Sequence, residues 1–158
     1  MTRRNSLSLR KLKKAAVALI VFPLLLPLVL IVLAGSLAYR ALLYLLVWAV
    51  WLPKGKDILL VYSDSPRWHE YLVTHIFPLV QERAVVLNWS QRKQWTRWSL
   101  GVAVFRQFAG ERDFNPLVVL FRPFRVAKIF RFWSAFKDWK DGYKEPVERL
   151  RQELFASL

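Results

Sequence analysis

Residues 58–89 read ILLVYSDSPRWHEYLVTHIFPLVQERAVVLNW, and their pattern decides the fold. Ile58-Leu59-Leu60-Val61-Tyr62 is an unbroken apolar run bounded by turn formers, the signature of a strand covered on both faces. Asp64 or Ser65 suits a helix cap, with Pro66 at the first helical position. Trp68, Tyr71, Leu72, His75, Ile76, Leu79 and Val80 recur at helical spacing, which predicts a helix over 66–82 that Pro78 kinks or ends. Residues 84–89 form a second strand. Strand, helix and strand in about 30 residues make a βαβ unit, with parallel pairing and a right-handed crossover.

Toward the C-terminus, Ser90 suits the cap of a helix running to Phe108, weakened by Gly101. After a polar loop at 109–113, Asn115-Pro116 opens a third apolar strand at 117–121. Residues 122–125 are too short for anything but a hairpin turn. The alternating segment 126–133 is then a half-exposed fourth strand. Residues 138–142 are polar. Glu145-Pro146 starts a final helix with Val147, Leu150, Leu154 and Phe155 on one face. The expected order is β-α-β-α-β-β-α. The second strand pairs parallel to the first, the third antiparallel to the first, and the fourth antiparallel to the third. Helices cover both faces of this four-stranded mixed sheet.

Toward the N-terminus lies 15–52, an apolar stretch whose one charged residue is Arg40. As one straight helix it is about 57 Å long, against a hydrocarbon core of about 30 Å. Gly35-Ser36 is the expected break, and Pro23 and Pro27 are tolerated in a membrane helix. Three arrangements fit: a helical hairpin, one span followed by an interfacial helix, or a signal peptide cleaved near Ser36-Leu37-Ala38. The apolar core exceeds the usual signal-peptide length. Arg3, Arg4, Arg10, Lys11, Lys13 and Lys14 precede the stretch, and Lys54 and Lys56 follow it. A hairpin returns both basic flanks to the cytoplasm and is the favoured arrangement. Trp48 and Trp51 suit an interfacial belt, and Arg40 can snorkel to a headgroup. The expected organisation is a basic cytoplasmic arm (1–14), a membrane anchor (15–52), a linker (53–57) and an α/β domain (58–158).

The formal net charge of the 158 residues is +14. Such charge fits nucleic acid or an anionic leaflet, and the adjacent anchor favours the leaflet. The chain has no cysteine, which excludes disulfides, thiolate metal sites and cysteine catalysis.

The element order resembles that of thioredoxin-like domains. Residues 61–68, Val-Tyr-Ser-Asp-Ser-Pro-Arg-Trp, resemble the strand-to-helix passage of glutaredoxins, with Ser65-Pro66-Arg67-Trp68 where that family has Cys-Pro-x-Cys. Asn115-Pro116 resembles the family's cis-proline site, so the resemblance implies a cis bond there, close to Ser65. It also implies a fold and a binding groove. It does not imply the activity, because Ser65 and Trp68 replace both cysteines and no thiolate exists for disulfide exchange.

The candidate ligand site is the loop after the first strand, Ser63, Asp64, Ser65, Arg67 and His69, with Pro116. Ligands gather at the carboxyl ends of strands in open α/β sheets, and helix N–H groups with Arg67 and His69 suit an anion. The plainer reading makes Asp64 and Ser65 caps and His69 a surface residue. His69 and His75 do not share a helical face, which argues against a metal pair. Neighbouring Ser65, Asp64 and His69 lack the turn of a nucleophile elbow. Arg92, Lys93, Arg97, Arg122, Arg125, Lys128 and Arg131 interleave with aromatics and are candidate membrane-surface contacts. Stacking on single-stranded nucleic acid uses the same residue types and is disfavoured by the anchor.

The sequence thus leads to a membrane-anchored, redox-inactive thioredoxin-like domain with a structural or interaction role at the cytoplasmic face of the inner membrane. Its expected partners are anionic lipids and a protein in the membrane, and no cofactor or metal is implied. The alternative readings are an enzyme for a phosphorylated or lipid-linked substrate at 63–69, and nucleic-acid binding.

Overall fold

The computed structural model describes residues 3–158 except 111, 113 and 114, with side chains from Pro23 onward except 24 and 140. The side chains of the basic arm therefore lie outside the described residues, as does part of the 109–113 loop.

Apolar residues without a stop signal give one long helix, α1, Arg3–Leu46, with Pro23 and Pro27 inside it. It continues through a π-helical turn, Val47–Trp51, and a 3-10 turn, Leu52–Lys54. The break expected at Gly35-Ser36 is absent. Both residues are helical, so the expected hairpin is not formed. Neither residue forces a break, since glycine in a helix costs only about 1 kcal/mol. Leu25–Lys54, 30 residues, is long and apolar enough to cross a membrane.

The stop comes at Gly55. It is left-handed (φ 69°), its N–H donates to Leu52 O, and Lys56 N–H donates to Trp51 O. These paired bonds are a Schellman cap, which glycine permits because it has no Cβ. The expected linker is thus a helix terminus. Lys56 Nζ donates to Glu82 O at 2.7 Å, and Arg83 holds Asp57 through Nε at 3.0 Å. That hydrogen bond raises the Arg83 pKa further.

Strands β1 (Ile58–Tyr62), β2 (Ala84–Asn88), β3 (Leu117–Leu120) and β4 (Lys128–Arg131) form one sheet in the order β2-β1-β3-β4. β1 and β2 are parallel, while β3 is antiparallel to both β1 and β4, as the pattern predicts. The Asn115-Pro116 bond is cis. β1 and β3 are central and almost wholly buried, but β2 is an edge and partly open.

Between β1 and β2 run α2 (His69–Tyr71), a π-helical turn (Leu72–Ile76) and α3 (Phe77–Val80). The helix starts three residues later than expected, because residues 66–68 form a turn on the Ser65 carbonyl. The wide turn before Pro78 accommodates a residue without an N–H. The helix expected from Ser90 to Phe108 is two pieces, a 3-10 segment Trp89–Gln94 and α4, Leu100–Phe108. Asn88, not Ser90, caps the first piece. Trp95 is extended and donates its indole N–H to Asn88 O at 3.1 Å, which breaks the helix. Gly101 brings α4 close to β2, since a Cβ there would lie 3.3 Å from Val85 Cγ1.

The fourth strand is shorter than expected, and α5, Trp133–Lys140, follows it directly. α6, Glu145–Phe155, closes the fold. Tyr71 in α2 donates to Glu148 of α6 at 2.8 Å, and Arg151 joins them. Burial, and then this hydrogen bond, push the Tyr71 phenol well above the usual tyrosine range. Burial alone would raise Glu148, but hydrogen bonds from Tyr71 and Arg151 outweigh it and hold its pKa below the usual range.

The chain divides at Ala41/Leu42, and the second compact unit is Leu42–Leu158. Its sheet has two covered faces. Ile58, Leu60, Val118, Leu120 and Phe130 pack with residues of α2, α3, α5 and α6. Leu59, Val61, Leu117, Val119 and Phe121 pack with α4 and with Leu43, Val47 and Trp51 from the end of the long helix. Those last three are 2%, 0% and 5% exposed. Their spacing of four places them on one helical face. Trp51 is therefore a core residue, edge-on to Phe121 at 6.1 Å, and not part of an interfacial belt.

Candidate functional site

β1 ends at Tyr62, and the chain turns over the carboxyl edge of β1 and β2. Asp64, Asn88 and Ser90 hydrogen-bond one another there, while buried His69 Nδ1 has no hydrogen-bond partner among the described residues. Asp64 N–H donates to Ser90 Oγ at 3.0 Å, and Asn88 Nδ2 donates to Asp64 Oδ1 at 2.8 Å. Asn88 Oδ1 in turn accepts from Ser90 N–H at 2.9 Å. His69 Nδ1 stands 4.0 Å from Asp64 Oδ1, and its ring lies 5.9 Å from that of Tyr62. Ser63 is buried, and its Oγ accepts from Trp68 Nε1 at 3.3 Å.

The sequence-predicted loop is thus brought together in two parts. Asp64 and His69 stand beside each other, and Asp64 is held by Asn88 and Ser90, which sequence reasoning missed. Ser63 points the other way, into a core contact with Trp68. Ser65 contributes its carbonyl, which accepts from the N–H of Trp68 and of His69. Pro116 is buried at the entrance to β3, and its carbonyl accepts from Phe132 N–H at 3.0 Å. Arg67 leaves the loop and lines a cleft of about 250 Å³ with Trp68, Trp133, Phe136, Lys137 and Asp141. Trp68 meets Trp133 edge-on at 5.1 Å, so the cleft has an aromatic floor. Lys137 Nζ lies over the Trp133 ring at 5.6 Å. Arg67 and Lys137 give this cleft two cations beside the carboxylate of Asp141.

The second half of this cleft belongs to α5, which the alternating reading of 126–133 hid. Its signal was present: Phe132, Ala135, Phe136 and Trp139 are spaced three, one and three apart, a helical stripe.

The basic candidates fall in separate places. Arg92 lies over the Trp89 ring at 5.0 Å, and Lys93 and Arg97 are exposed. Arg122 donates to Ser157 O, and Lys128 Nζ pairs with Glu153 at 2.9 Å. Arg131 donates to Ala109 O at 2.8 Å, within the fold. Arg125 is exposed at the β3–β4 turn. Among the described residues, no group of three His, Asp or Glu stands close enough to hold a metal. No family model, no curated protein and no solved structure matches this chain.

Proposed function

We propose that the chain is a single-span membrane protein carrying a redox-inactive thioredoxin-like interaction domain. The observation that carries the reading is Trp68. At the position where the resembled family keeps a thiol, it is 7% exposed, bonded to Ser63 and packed on Trp133 and Phe136. A large core side chain fills the place of a reacting group and leaves a shaped aromatic cleft beside it. The sheet order, the strand directions and the cis bond before β3 support the thioredoxin-like reading.

The helix supports a changed topology. With the N-terminus inside, a cytoplasmic domain needs a hairpin, and α1 continues through the place of its turn. With one crossing, the six basic residues before the apolar stretch keep the N-terminus in the cytoplasm, and the domain lies on the opposite side of the inner membrane.

In the interaction reading, a photo-crosslinking residue at Lys137 of the full chain captures a discrete partner band in cells, while one at exposed Glu82 does not. Equal labelling at both positions, or none at Lys137, contradicts a partner in the cleft. A second reading, an enzyme for a phosphorylated or lipid-linked substrate, rests on the 4.0 Å approach of His69 to Asp64. Phosphatase or phospholipase turnover lost in His69→Ala would replace the first reading with this one.

A further inference from the structure

The turn between β3 and β4 is built in an unusual way for a solvent-facing hairpin. Phe124 is 91% exposed and Val126 80% exposed, with the exposed Arg125 between them. Phe124 also has a left-handed backbone (φ 58°), a conformation bulky residues rarely adopt. Two exposed apolar side chains at a tip are a cost in water unless something covers them.

The surroundings of the tip identify what covers it. The turn is fastened to the end of the long helix inside the Leu42–Leu158 unit. Ala127 N–H donates to Tyr44 Oη at 2.8 Å, and the Phe124 and Trp48 rings lie 5.4 Å apart. Tyr44 and Trp48 both belong to the stretch Leu25–Lys54 that is apolar enough to cross a membrane. Leu42, Leu45 and Val50 on that same helix end are exposed. The tip is therefore continuous with the apolar surface of the span's last turns. Exposed Arg125 puts a cation beside it, in a hollow of about 200 Å³ shared with Arg122, which donates to Ser157 O, and Lys128, which pairs with Glu153. Aromatic and aliphatic side chains beside arginine and lysine match the headgroup boundary of an anionic bilayer.

We propose that Phe124 and Val126 insert into the headgroup boundary of the bilayer beside the end of the long helix, with Arg125 on anionic headgroups. The proposal rests on the membrane-anchored reading, and a single experiment separates the two. The chain has no cysteine, so each single-cysteine variant carries one label. Full-length Phe124→Cys, Leu30→Cys and Tyr143→Cys are labelled with an environment-sensitive fluorophore. They are then reconstituted in vesicles of phosphatidylglycerol and phosphatidylcholine containing brominated lipid. Tyr143, exposed between α5 and α6 on the other covered face of the sheet, reports water. The expected result is strong quenching at 30, and quenching at 124 at least about twofold above that at 143. Quenching at 30, with 124 no different from 143, overturns the insertion and leaves the anchor standing. No quenching at 30 overturns the anchor and the insertion with it. The mostly exposed ring at 124 leaves the core intact in the variant.

Discussion

Trp51→Ala is expected to destabilise the 42–158 domain by about 3–5 kcal/mol, the usual cost of deleting a buried aromatic ring. Trp51 is 5% exposed, edge-on to Phe121, and packs in the same cluster as Leu43, Val47, Leu59, Val119 and Phe108. With a total stability of about 5–15 kcal/mol for an ordinary domain, that loss brings the variant to the edge of unfolding. Urea denaturation of residues 42–158, read by circular dichroism, measures it. A chain beginning at Ile58 goes further. It strips Leu43, Val47 and Trp51 from one sheet face and leaves Val61, Val119 and Phe121 covered on that side by α4 alone among the helices. Such a chain is expected to aggregate. Leu46→Ala, on an exposed position of the same helix, is expected to change stability by less than about 0.5 kcal/mol. Equal effects of the Trp51 and Leu46 changes would show that the helix end does not belong to the domain core.

Trp68→Ala is expected to lose about 3–5 kcal/mol, while Trp68→Phe loses only about 1 kcal/mol. The alanine variant empties the space against Trp133 and Phe136 and unpairs buried Ser63. The phenylalanine variant keeps most of the ring contact and removes only the indole N–H from Ser63 Oγ. The same denaturation curves read both. A Trp68→Ala variant as stable as the parent would mean that this position is a free surface, and the filled-site reading would fail.

The sheet was legible because each strand carries its own signal. Ile58–Tyr62 is purely apolar, the four residues 122–125 admit only a hairpin, and the helix between β1 and β2 forces a parallel crossover. The helix end was not legible. Leu43, Val47 and Trp51 stand four apart, but in a stretch where nearly every residue is apolar that spacing carries no contrast. Exposed and core-facing leucines look alike there. The expected break at Gly35-Ser36 failed for a related reason: a weak helix former does not end a helix that nothing else interrupts. At the site, the loop 63–69 was legible from its place after β1. Its closure by Asn88 and Ser90 was not, because those contacts join residues 24 and 26 positions apart. Trp68 shows the limit most clearly. Helical spacing placed it on an apolar face, but only the packing of α5 makes it the wall of a cleft.

The membrane reading is tested most directly by reporters fused after Leu158 of the full chain in a bacterial host. One is alkaline phosphatase, active only outside the cytoplasm, and the other a fluorescent protein that matures only inside. A single crossing with the basic arm inside predicts active phosphatase and a dark fluorescent fusion. A bright fluorescent fusion with inactive phosphatase would contradict it, and would mean that the long helix does not carry the domain across.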